Sequence, residues 1–161
     1  MSSNQKPLIR ETTKADVSLI LQLIKELAKY EKLANEVVAT ESILSESLFV
    51  NKHAEAFIIE VNQQPIGFAI IYHNFSSFLG KAGLYLEDIY IKPEFRHLGY
   101  GKQMLKFLAH LATSRGCERI EWSVLNWNES SIKFYQKIGA LPMNEWTTYR
   151  LHRKEINNLK K

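Results

Sequence analysis

A chain of 161 residues is long enough to bury one substantial core and is expected to form a single domain, 1–161. Its 45% hydrophobic and 24% charged residues argue against a disordered or fibrous protein. The formal net charge of +4 suits an anionic ligand, but no basic stripe with interleaved aromatics points to nucleic acid.

No apolar run reaches the ~18 residues of a membrane span, and no charged-then-apolar leader opens the chain. The one cysteine, Cys117, excludes an internal disulfide. A cytoplasmic protein that contacts no membrane is expected.

In chain order, Leu8 to Glu11 reads as a first strand. Thr13 followed by Asp16 reads as a helix cap. Val17, Ile20, Leu21, Ile24, Leu27 and Ala28 then form an apolar stripe, which predicts a helix to about Leu33. A short helix over Thr40 to Phe49 follows. Ala56 to Val61 and Ile66 to Phe75 read as strands joined by the turn Asn62 to Pro65. Ser76 to Gly83 reads as a loop. Tyr85 to Ile91 alternates as a strand that Pro93 ends.

From Gly101, the residues Met104, Leu105, Leu108, Leu111 and Ala112 recur at helical spacing as far as Arg115-Gly116. Glu118 to Val124 reads as a strand. Asn128 opens a helix that stops at Ile138-Gly139, and Met143 to Leu151 reads as a last strand. The core is thus expected over about residues 8–151, followed by a short, solvated basic tail that includes His152, Arg153, Lys154, Lys160 and Lys161. Strands before and between helices predict an α/β fold with a mixed sheet.

Glu87 to Gly101 holds the densest chemical information. An acid-bearing strand runs into Arg96-His97-Leu98-Gly99-Tyr100-Gly101 at a helix entrance. The first amides of a helix lack internal partners, and the macrodipole is positive there. Two glycines let the backbone approach a phosphate closely, and Arg96 and Lys102 add charge. This composes a pyrophosphate cradle, although a plain strand-to-helix turn would use the same glycines. The third glycine of a dinucleotide fingerprint and the G-K-[ST] of a Walker loop are both missing.

Arg96-x-x-Gly99-x-Gly101 after a strand resembles the acetyl-CoA loop of the GNAT superfamily of N-acetyltransferases. Ile24 to Glu31, Tyr85 to Asp88, Trp127 to Glu129 and Phe134-Tyr135 are similar to the diamine (spermidine/spermine) and thialysine N-acetyltransferases. The resemblance covers about Leu8 to Leu151. It implies a mostly antiparallel mixed sheet flanked by helices, acetyl-CoA as co-substrate and a homodimer. It also implies that Ile89, Tyr90 and Ile91 meet pantetheine. Arg96, His97, Leu98, Gly99, Tyr100, Gly101 and Lys102 would meet pyrophosphate. Asn128, Ser130 and Ser131 would lie along the cofactor, Tyr135 beside its sulfur, and Tyr30, Glu31 and Glu87 at the amine.

The chemistry fits those residue types. An alkylamine with a pKa near 10.4 is an ammonium at neutral pH, so a carboxylate must take its proton. Glu87 is the candidate, and alternation places it with Tyr85 and Ile89, with Asp88 opposite. Tyr135, a phenol protonated at neutral pH, is the candidate acid for the leaving thiolate. Asn128, Ser131 and Tyr135 share one helix face, with Asn128 at the N-cap.

Each residue also has a plainer reading. Glu87 would serve as a solvated strand carboxylate, Tyr135 as a core aromatic, and Tyr30 and Glu31 as an exposed helix end. Phe134 reads as core, Trp122, Trp127 and Trp146 as sheet packing, and Cys117 as a small core residue. His110 reads as solvated. No His/Cys cluster has metal spacing, so no metal is expected.

Only Glu31, Glu87 and Glu36 are nameable as carboxylates for a polycation. That weakens the spermidine reading; the resemblance implies acetyl transfer to a primary amine of a small molecule (a diamine, polyamine or lysine-like amino acid), and Cys117 reading as core favours direct attack on acetyl-CoA. A protein amine docking near Asn74 to Gly83, a non-catalytic CoA sensor and a nucleic-acid-binding module remain as alternatives.

Overall fold

The computed structural model describes residues 6–160. They form two compact units that divide after Ser123.

The first unit is built on a five-stranded sheet in the order β1-β2-β3-β4-β5. The strands are β1 Leu8–Glu11, β2 Glu55–Val61, β3 Gln64–Ser76, β4 Lys81–Ile91 and β5 Ile120–Glu121. The first four pair antiparallel, and β4 and β5 pair parallel. Helix α1 (Val17–Tyr30) and helix α3 (Tyr100–Ser114) cover opposite faces. Alternation on β2 decides which residue meets which helix: Phe57 and Ile59 join the α3 cluster, Ala56 and Ile58 the α1 cluster. Ile20 and Leu23 of α1 and Met104 and Leu108 of α3 are fully buried. Each such side chain stabilises by roughly 1.5–3 kcal/mol.

The start of α1 is tied down by charge. Asp16 accepts from the Thr13 amide at 2.8 Å, closing the expected capping box. Arg10 bridges Asp16 at 2.9 Å and Glu60 at 2.8 Å, so β1, β2 and the entrance to α1 share one ion network.

Several boundaries differ from expectation. Helix α1 stops at Tyr30 and not Leu33, because Lys32 takes a left-handed φ of 63° and the Leu33 amide folds back to Ala28 at 2.8 Å. The second helix begins α-helical as α2, Glu41–Ser45, and widens into a π turn over Glu46–Val50. Asn62 and Gln63, both left-handed, suffice to reverse β2 into β3, so Gln64 and Pro65 belong to the strand. The loop expected over Ser76 to Gly83 shrinks to residues 77–80, with Gly80 at φ 65°. The strand expected over Glu118 to Val124 is only Ile120–Glu121, because pairing with β4 stops at Tyr85.

The second unit carries α4, Glu129–Lys137, and α5, Arg153–Leu159. The Asn128 side chain caps α4 by accepting from the Ser131 amide at 3.3 Å, and Gly139 at φ 91° ends it. The last strand expected over Met143 to Leu151 does not form; those residues are exposed and unpaired in any ladder among the described residues. A strand-like composition is not enough where no neighbouring strand offers hydrogen bonds. The tail expected to be merely solvated is the exposed helix α5, and Lys161 lies outside the described residues. Trp122 packs on the α3 cluster as expected, and so does Cys117. Trp127 and Trp146 are 45% and 74% exposed, so the packing expected of all three tryptophans holds for Trp122. Phe134 is half-buried against Tyr135, with ring centroids 5.6 Å apart.

Candidate active site

The site in the first unit is organised by one irregularity in β4. Ile71 pairs with Leu86 and Ile70 with Asp88, so Glu87 is an extra residue. A β-bulge of this kind puts two residues of one strand opposite one of the next and resets the alternation. Leu84 and Leu86 face the α3 cluster before it, and Ile89 and Ile91 face the same cluster after it. Tyr90 faces the α1 cluster. Tyr85, Glu87, Asp88 and Tyr90 therefore all project toward α1. Glu87 does share a face with Tyr85, but Ile89 is on the other side and Asp88 is not opposite. The sequence holds the signal: its apolar alternation skips one position between Leu86 and Ile89.

Three carboxylates result on that face. Glu87 is exposed and Asp88 half-buried. Burial first, then the charges of Glu87 and Glu31, push the Asp88 carboxyl up to about 7. Burial also raises Glu31, just beyond the end of α1. Tyr72 and Tyr85 stack beside them with ring centroids 4.9 Å apart, and burial followed by the Glu87 charge raises the Tyr72 phenol. Glu26 adds a fourth acid nearby: after burial, its charge is what most raises the Tyr90 phenol. Glu36 is exposed on the turn after α1.

The loop Arg96 to Gly101 follows β4 directly. His97 and Gly99 are both left-handed, at φ 62° and 87°, and Gly99 caps α3. The first helical bond runs from the Gln103 amide to the Gly99 carbonyl at 3.0 Å, so the amides of Tyr100, Gly101 and Lys102 point out of the helix end. A Cβ placed on Gly99 or Gly101 would meet nothing within 4 Å, which leaves open space directly over the backbone. Outward amides, open space and Lys102 fit the phosphates of a CoA-type ligand. Tyr100 is buried against Phe95, while His97 and Leu98 are exposed.

Main-chain groups of β4 complete this side. The Lys92 amide donates to Ile66 on β3 at 2.8 Å, so alternation turns the N–H and C=O of Ile89 and Ile91 to the opposite edge. Beyond Tyr85, no strand among the described residues pairs with that edge.

Arg96 links loop and acids. Its Nε donates to the Ile91 carbonyl at 2.8 Å, and its guanidinium lies 4.3 Å from the Tyr30 ring centroid and 5.4 Å from that of Tyr90. The first unit thus brings together Tyr30, Glu31, Glu87, Asp88, Tyr90 and the loop. The second unit presents Asn128, Ser131 and Tyr135 along α4, with Ser130 exposed in its first turn. Among the described residues, no group of three or more His, Cys, Asp or Glu could hold a metal ion.

The model of the acetyltransferase (GNAT) family matches residues 21–140. The chain is 32% identical to the thialysine N-epsilon-acetyltransferase of Sus scrofa, covering 94% of this chain and 96% of that protein. It is 31% identical to the L-ornithine N5-acetyltransferase NATA1 of Arabidopsis thaliana, over 89% and 83% of the two chains. Among solved structures, an integron cassette protein of V. cholerae superposes with a TM-score of 0.80 at 24% identity, over 96% of this chain and 98% of that one.

Proposed function

Given that the chain belongs to the acetyltransferase (GNAT) family, we propose that it uses acetyl-CoA to acetylate a primary amine of a small cationic molecule. The class is a diamine, a polyamine or a lysine-like amino acid. The observation that carries this reading is the face of β4 where Glu31, Glu87 and Asp88 gather, one arginine away from the anion loop. Like charges held together at a half-buried site repel one another until a cation enters. An ammonium group supplies that cation. Relatives named for thialysine and L-ornithine support an acceptor with an amine on a short chain.

The residues divide the work. Tyr100, Gly101 and Lys102 present amides to the phosphates, and Ile89 and Ile91 present main-chain groups to the pantetheine arm. Glu87 takes a proton from the bound ammonium, directly or through water. The freed nitrogen attacks the thioester carbonyl; its bond to carbon forms as the carbon–sulfur bond breaks. Tyr135 gives its phenolic proton to the leaving thiolate and is reprotonated as the acylated nitrogen loses its second proton to become the neutral amide. Asn128 holds the α4 entrance by accepting from the Ser131 amide.

The family match spans residues from both units, which supports one domain acting as a whole. A homodimer in the cytoplasm completes the proposal, to be checked by sedimentation and by cell fractionation. The central experiment is thiol release from acetyl-CoA with thialysine, ornithine, lysine, putrescine, spermidine and a lysine-containing peptide. Turnover is expected with the small amines and not with the peptide. Tight CoA binding without turnover of any amine would overturn the reading in favour of a sensor.

A further inference from the structure

We infer that Arg96 is a positioning residue for the amine half of the site, clamping the C-terminal end of α1 to the end of β4, rather than a ligand of the phosphates. The inference rests on the acetyltransferase reading for its kinetic part only.

Its charge and the resemblance of Arg96-x-x-Gly99-x-Gly101 to an acetyl-CoA loop both point Arg96 to the pyrophosphate. Its geometry is committed elsewhere. The Nε atom donates to the Ile91 carbonyl at 2.8 Å, which ties the guanidinium to the end of β4. Its Cζ lies over the Tyr30 ring, 4.3 Å from the centroid, and 5.4 Å from the centroid of the buried Tyr90 ring. A cation on an aromatic face is worth about 0.5–2 kcal/mol, more as water is excluded. Tyr30 is the last residue of α1, and Glu31 follows it.

Beyond Tyr30 the chain turns through the left-handed Lys32, and the Glu31 and Leu33 amides close the helix end on Leu27 and Ala28. Those bonds hold the helix end to itself; Arg96 ties it to the end of β4, the strand that also carries Glu87 and Asp88. The clamp sets the spacing between Glu31 and the other two carboxylates. Lysine in its place would keep the charge but lose both the fork and the flat stacking surface.

Two measurements test this. Hydrogen exchange of the Leu27 to Glu31 amides needs no substrate. Arg96→Lys and Tyr30→Leu are each expected to speed it several-fold, and unchanged exchange in both overturns the clamp. Kinetically, Arg96→Lys is expected to raise the amine KM by about three- to tenfold, while calorimetry finds CoA affinity within about threefold of wild type. In a Tyr30→Leu background the Arg96→Lys effect disappears; in a Tyr30→Phe background, which keeps the ring, it persists. Effects that multiply in the Tyr30→Leu background overturn the inference. So does a loss of CoA affinity of tenfold or more with the amine KM unchanged. If the exchange responds but the wild type acetylates no amine, the proposed function has failed and the clamp stands.

Discussion

Glu87 and Asp88 are consecutive in β4 and yet project from the same face of the sheet, because Glu87 is the extra residue of a bulge between the Ile71–Leu86 and Ile70–Asp88 pairs. In an unbroken strand one of them would point into the α3 core. The bulge turns a strand edge into a two-carboxylate platform facing α1, and Glu31 brings the third acid.

Folding raises the Asp88 pKa from its ordinary 3.8 to about 7, so the native state holds that proton more tightly than the unfolded chain. Below about pH 4 both states are protonated and no stability is lost. As the pH rises toward 7, the unfolded chain ionises first and the native state loses ground. Asp88→Asn stays neutral throughout. It is expected to be more stable than wild type at pH 8 by about 1–3 kcal/mol, with the difference vanishing near pH 4. Thermal unfolding at the two pH values decides, and a pH-independent difference contradicts the burial of a titrating Asp88.

Glu87→Gln removes the proposed proton acceptor without changing shape. It is expected to lower kcat at neutral pH by about 100-fold, with partial recovery as the pH approaches that of free amine. Tyr135→Phe is expected to lower kcat by about tenfold or more. Steady-state rates with saturating acetyl-CoA read both, and an unchanged rate in either variant removes that residue from the mechanism.

Gly101→Ala adds a methyl where nothing in the protein lies within 4 Å. Alanine is favoured over glycine within a helix by about 0.5–1 kcal/mol, so stability is expected to rise slightly. The same methyl intrudes on the phosphate cradle, and the KM for acetyl-CoA is expected to rise several-fold. Gly99→Ala differs, since its φ of 87° strains any side chain by about 1–2 kcal/mol. It is expected to lose stability as well as affinity. A Gly101→Ala variant with unaltered acetyl-CoA KM would place the cradle elsewhere.

Gly67→Ala probes the β3–β4 approach. A Cβ there would clash with the Tyr90 carbonyl oxygen and come within 2.8 Å of Ile91 Cδ1. Both strands are core, so relief requires backbone movement, and a loss on the order of 2–4 kcal/mol is expected in urea unfolding. A loss below about 0.5 kcal/mol would mean that the strands separate more easily than their packing suggests.

Much of the fold was legible because its signals are local. The stripe from Val17 to Ala28 has one meaning at a 3.6-residue period, and Asn128, Gly116 and Gly139 punctuate helices by their own backbone chemistry. The bulge was legible only in part. Its trace is the skipped beat between Leu86 and Ile89, which simple alternation from Tyr85 to Ile91 overrides. Met143 to Leu151 misled for the opposite reason: aromatic and threonine content suits a strand, but strand formation depends on a pairing strand, and none among the described residues pairs with the segment.

By itself, then, the amino-acid order determined the element types as far as α4, the glycine-bearing loop at the α3 entrance and the family. These depend on residues near one another in the chain, whose conformational preferences add up locally. Tertiary structure decided which way Glu87 and Asp88 face, that Glu31 joins them, and that Arg96 lies on Tyr30. Those relations depend on pairing between β3 and β4 and on packing of α1 over the sheet, where a single extra residue reverses a face and a distant ring captures a charge.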